Sequence, residues 1–186
     1  MILAAFRRSP AKVTIAALYG AIVAQARSPL FYARCGVADT VDGRFELIVL
    51  HLVLVLRRLD GGPAAPGRGK GRRLGQGLFD LFCRDLDSNL REMGVGDLKV
   101  PKEMRRLGEA FYGRQAAYGA ALAAADQAEL EKALARNIFE IACADDRATR
   151  LARYVRAAAT QLDAEDDDAL AAGTVNFPDP EVFAHA

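Results

Sequence analysis

A chain of 186 residues, 52% hydrophobic and 26% charged, is long enough for one domain with a real core. Its formal charge is only +1, and its three cysteines are far apart with no CxxC pair. That pattern argues against a disulfide frame or a zinc site and for a reducing compartment. The charge is uneven: residues 1–93 hold 14 Lys/Arg against 8 Asp/Glu, and residues 94–186 hold 11 against 16. A basic front half suits phosphates or an anionic membrane, or is simply a solvated surface.

The opening MILAAFRRSP has too short an apolar run for a secretory signal. Ser9-Pro10 is a helix start, a capping hydroxyl before a proline at the first helical position. Ile15, Leu18, Tyr19, Ile22, Val23 and Ala26 follow as one apolar stripe, which Ser28-Pro29 ends. A connector with room for a short helix runs to a turn at Asp42-Gly43. Residues 45–59 predict a second helix that is apolar around nearly its whole circumference. Such a helix must be surrounded by protein, or must leave one face for a partner. Its most apolar run, FELIVLHLVLVL, falls short of the roughly 20 residues that span a bilayer.

Residues 60–77 hold seven glycines, two prolines and the cations Arg68, Lys70, Arg72 and Arg73. They read as a flexible basic loop. Gly62 and Gly67 have P-loop spacing, but the lysine and hydroxyl that should follow are missing. Residues 78–93 predict a helix with Phe79, Phe82, Leu86, Leu90 and Met93 on its inner face. Acid-first pairs Asp80/Arg84 and Asp87/Arg91 lie on its outer face. Gly94 ends that helix, Val95-Gly96-Asp97 turns the chain, and Pro101 restarts it. Met104, Leu107, Phe111, Tyr118 and Leu122 then line one side. Asp126/Glu129 and Asp145-Asp146 open two further helices. Beyond Leu162 the chain is acidic and then Pro-rich, and residues 164–186 read as a loosely ordered tail. The expected architecture is all-α: one domain, residues 1–163, a bundle of about six helices.

Chemistry is hard to find. His185 is near the end of the chain, and His51 sits in the most apolar helix with no acid or second ligand nearby, so it reads as a hydrogen-bonded core histidine. No Glu-x-x-His element accompanies Asp80, Asp85 and Asp87. Nucleophile, base and orienting group cannot be assembled. Arg147, Arg150, Arg153 and Arg156 recur every third residue and read as a broad basic flank.

Three blocks carry a resemblance: ARSPLFYARCGVADTVDGRFELIVLH, LFDLFCRDLDSNLREMGVGDLKVPK and AFYGRQAAY. In order and spacing they resemble the ubiquinol–cytochrome c chaperone family, in its bacterial branch. These proteins are assembly factors of cytochrome b and ubiquinol–cytochrome c reductase. The likeness covers residues 19–118 and continues more weakly to about residue 162. It implies an all-α protein that is not an enzyme, without metal or cofactor, which binds newly made cytochrome b. A small partner protein and the ribosome are further partners the resemblance brings with it. The expected location is the cytoplasm, with peripheral contact at the inner membrane.

On this reading the candidate partner-binding residues are Asp85, Arg91, Val95, Asp97, Tyr112 and Arg114. Tyr and Arg anchor interfaces, although structural support of the 94–97 corner is the alternative for each. A groove beside the 45–59 helix, gated by the basic loop, is the expected client site. The rival reading is a ribosome- or RNA-associated helical module using Arg68–Arg73 and Arg147–Arg156, although no specific nucleic acid is expected.

Overall fold

The computed structural model describes residues 10–61, 68–124 and 127–183. Among them are eight α-helices and a terminal 3-10 turn, and no strand. The all-α expectation holds. Ser9, Gly62, Gly67, Asp126 and His185, each weighed above, lie outside the described residues.

Helix α1 (Pro10–Ala26) buries Leu18, Ile22 and Ala26. A single short turn of helix, α2 (Pro29–Ala33), follows the break at Ser28. Helix α3 (Val41–Leu59) begins earlier than the sequence suggested. Asp42-Gly43 is its first turn, not a separate one, because the Thr40 hydroxyl caps it by accepting from the Gly43 N–H at 3.1 Å. Asp42 in the first turn and Arg57 and Arg58 in the last both suit the helix dipole.

Helix α3 is the axis of the molecule. It packs against α1, α4 (Arg68–Glu92), α5 (Val100–Ala123) and α7 (Asp146–Ala164). Leu47, Val49, Leu50 and Leu52 through Val55 are at most 1% exposed. The arginines at its end tie it to α7 and to α8 (Asp167–Ala172). Arg57 pairs with Asp163 at 2.6 Å. Arg58 donates to the Leu162 and Glu165 carbonyls and to Asp167. It thereby satisfies acceptors that the end of α7 leaves open.

Two expectations are overturned. Residues 68–77 are not a loop but the first turns of α4. The glycines there serve close packing: a Cβ at Gly71 would lie 2.4 Å from the Leu59 carbonyl oxygen, and one at Gly77 would lie 2.4 Å from Ile15 Cδ1. Lys70, Arg72 and Arg73 remain exposed on this helix. The segment after residue 163 is not a loose tail either. Leu170 and Val175 are buried, and Phe177 and Phe183 pack on the core. Apolar residues spaced between acidic ones let this segment cover α1, α2 and α7 while keeping its charges in water. Helix α6 (Gln127–Asn137) completes the bundle against α5 and α7.

His51 is a core histidine with every ring nitrogen used. Its Nδ1 faces the Leu47 carbonyl at 2.7 Å, which can only accept, so that nitrogen carries the hydrogen. Its Nε2 then accepts from the Tyr154 hydroxyl at 2.7 Å, and Gln25 donates to the same hydroxyl at 3.0 Å. Phe177 closes over the ring edge-on, 5.1 Å between centroids. Complete burial pushes His51 down to about 4, against the weaker upward pull of the Leu47 carbonyl. An unfolded histidine binds its proton near 6.5. Between those values the unfolded chain holds more protons, so stability falls as pH falls. Urea unfolding should show this group removing about 2 kcal/mol between pH 7 and pH 5. The His51→Gln variant should lose that part of the slope; an identical slope in both proteins would exclude His51 as its source.

Candidate functional site

The strongest local design on the surface is the corner between α4 and α5. Gly94 takes φ +82, the left-handed region that favours glycine. With that bend, the Val95 N–H reaches the Leu90 carbonyl and the Gly94 N–H reaches the Arg91 carbonyl, each at 3.0 Å. Together these form the double closure of a Schellman end. Lys99 and Val100 N–H groups then bond the Gly96 carbonyl and start α5. Arg91 spans the bend, donating to Asp87 at 2.7 Å and to Asp97. The structure therefore brings Arg91, Val95 and Asp97 together at the corner and gives the two charged residues a common structural task.

Asp85 and Arg114 are placed differently. Asp85 accepts from the Tyr19 hydroxyl at 2.7 Å and from Asn89 at 3.3 Å, joining α4 to α1. Burial, then this bond, pushes the Tyr19 phenol upward. Arg114 does not face outward beside Tyr112. Its guanidinium turns in and forks onto Glu46 of α3, with both contacts at 2.5 Å. The two side chains are 19% and 10% exposed. Burial pushes the Glu46 carboxyl up, opposed by the bonds from Arg114. Glu46 was missed as a site residue, because nothing in the sequence joins positions 68 residues apart.

Tyr112 is exposed, at 59%. Its ring is the outermost of an aromatic cluster: 5.9 Å from Phe79 and 5.5 Å from Phe111, with Phe82 and Phe45 behind. Beyond it the outward face of α5 is small and smooth, formed by Gly113, Ala116, Ala120 and Ala123. Before it, the same face carries Lys102, Arg105, Arg106 and Glu109. Two apolar residues at the corner also stand in water. Leu98 is 97% exposed and Met93 63%. Met93 was expected to face inward, but it falls just past the end of α4, where the chain has begun to turn. Leu98 went unremarked; its signal was an apolar residue between Asp97 and Lys99, just ahead of the Pro101 start.

Where an apolar groove was expected beside α3, the apolar side chains Leu47, Val49, Leu50 and Leu52 through Val55 are already covered by the bundle. That helix is enclosed, and the cleft at its end, about 260 Å³, is lined by Arg57, Asp60, Gln115 and two glycines as well as Val53. The basic flank on α7 is only partly exposed. Arg147 pairs with Asp145 and lies over the Phe139 ring at 5.1 Å. Arg156 reaches toward the Ala121 and Ala124 carbonyls at 3.4 Å. Arg150 is half-buried, and of the four only Arg153 is well exposed. Among the described residues no group of His, Cys, Asp and Glu is placed to hold a metal ion. No helix among them is long and apolar enough to cross a membrane.

The sequence profile of the ubiquinol-cytochrome C chaperone family matches residues 33–177. The chain belongs to that family. Similar to this chaperone-family chain is the crystal structure of the Cbp3 homolog from Brucella abortus. It has a TM-score of 0.82 and 40% identity, over 97% of this chain and 98% of that one. "Ubiquinol-cytochrome-c reductase complex assembly factor 1" of Xenopus laevis is 29% identical, over 88% of this chain and 81% of that protein. The proteins of that name from mouse and human are also 29% identical, but the match covers only 56% and 55% of their length.

Within this family member, the Glu46–Arg114 fork is a structural bridge. Truncating Arg114 to Ala leaves a buried carboxylate without its partner, and should lower stability by about 3 kcal/mol in urea unfolding. The double replacement Glu46→Met/Arg114→Met should recover most of that. A loss below about 1 kcal/mol in the single variant would return Arg114 to the freely presented side chains.

Proposed function

We propose that this protein is a non-catalytic chaperone for the assembly of ubiquinol–cytochrome c reductase, and that its client is newly made cytochrome b. Support for the first part comes from the family match and from relatives that carry the assembly-factor name. The observation that carries the client reading is the outward face of α5. It presents Tyr112, held rigid from behind by Phe79 and Phe111, beside the smooth run Gly113, Ala116, Ala120 and Ala123. Helices that associate in membranes meet through small residues that let backbones come close. Tyr is among the residue types that dominate interface energies. A membrane helix of the client, laid along α5, would find an anchoring ring and a flat strip.

Holding such a helix needs no nucleophile. Each large apolar side chain covered contributes roughly 1.5–3 kcal/mol, so contact along a few turns is enough to retain a client until assembly proceeds. On this reading the chaperone works in the cytoplasm, close to the membrane that receives the client. The ribosome and a small partner protein are companions that the family resemblance suggests.

Tagged protein purified from cells in mild detergent should recover cytochrome b. Tyr112→Ala and Ala116→Trp change exposed positions, so both should stay folded while recovery falls about tenfold. No cytochrome b with the parent protein, expression having been verified, would end the client reading. Undiminished recovery with both variants would move the client off α5.

A further inference from the structure

We propose that the α4–α5 corner docks the protein on an anionic lipid bilayer. The point of the corner is apolar and exposed: Leu98 stands 97% in water and Met93 63%. Cations follow that point along the chain. Lys99, Lys102, Arg105 and Arg106 are all exposed. Leu98 sits two residues ahead of α5 in a backbone that already bonds helically through Gly96. Lys102 and Arg105 therefore follow at i+4 and i+7, on the side of the helix that carries Leu98.

The charge balance favours a negative partner. Residues 90–106 hold five cations and three acids. Asp97 is taken up by Arg91, and Glu103 pairs with Arg106 at 2.9 Å. Lys99, Lys102 and Arg105 have no ion pair among the described residues. Glu92 is the acid left without an ion pair there. An apolar tip followed by three cations without ion pairs matches the layered chemistry of a bilayer surface, apolar beneath and anionic above. The built corner adds rigidity, since the Schellman end and the Arg91–Asp97 pair hold the tip in place. A second exposed basic group, Lys70, Arg72 and Arg73 at the start of α4, lies on the opposite end of that helix.

The chain has no Trp, so Leu98→Trp gives a single reporter. Its emission should shift to the blue when phosphatidylglycerol-containing vesicles are added, and barely move with pure phosphatidylcholine. The full-length parent protein should float with the anionic vesicles and be released by salt. Lys102→Glu/Arg105→Glu and Leu98→Asp should each reduce partitioning about tenfold. Lys70→Glu/Arg72→Glu carries the same change of charge and should cost far less. Absence of the parent protein from anionic vesicles would overturn the proposal, as would an α4 control as damaging as the corner variants. Retention on an RNA homopolymer, lost in Lys102→Glu/Arg105→Glu while vesicles fail to bind, would assign the corner to nucleic acid. The cytochrome b test is run in detergent without a bilayer, so the two readings fail separately.

Discussion

One helix whose middle turns are shut off from water organises this molecule. Helix α3 has apolar residues on every side, so no single neighbour can cover it; α1, α4, α5 and α7 share the task. The demand reaches into places that look unrelated. The glycine at 71 lets α4 come down on the last carbonyl of α3. Arg58 reaches from the end of α3 to close the end of α7. The segment after α7 folds back until Phe177 covers His51. Inside this enclosure His51, Tyr154 and Gln25 form one hydrogen-bonded chain.

That enclosure was only half legible in the sequence. The periodicity of α1, α4, α5 and α7 could be read directly, because an amphipathic stripe records which side faces inward. The capping signals at Asp145 and Gly94 were equally plain. The all-round apolar character of α3 was visible too, but it admits two answers: full burial, or an open side for a client. The choice depends on how much surface the other helices supply, which is a property of the assembled bundle and not of any local stretch.

Glycine produced the clearest misreading. A run of Gly, Pro and Lys/Arg has the composition of a flexible connector. A helix that must approach another backbone closely uses the same residue for a different reason: a missing side chain, not a mobile backbone. Only the partner surface distinguishes the two. Arg114 shows the same limit for charge. Beside Tyr112 and Gly113 it reads as an exposed interface residue, yet its carboxylate lies on α3. Conversely, the acidic tail concealed Leu170, Val175 and Phe177, whose spacing is too irregular for a periodic signal.

With the interior closed, the means of recognising another molecule have to lie on the outside, and α5 is where core and surface are most directly joined. Its inward residues Phe111 and Tyr118 are locked into the core, and Arg114 fixes it to α3. Its outward residues need none of that. A side chain at Gly113 would meet nothing within 4 Å. Packing therefore does not require glycine there, although an exposed helical glycine costs about 1 kcal/mol relative to Ala. Stability given up at a position the fold leaves free is what close approach by a second backbone would ask for. Tyr112, one residue earlier, supplies a rigid ring at the same place, because the phenylalanines behind it hold it steady. A surface held still by its own core pays little ordering entropy on binding, which suits the client-holding role proposed for this face.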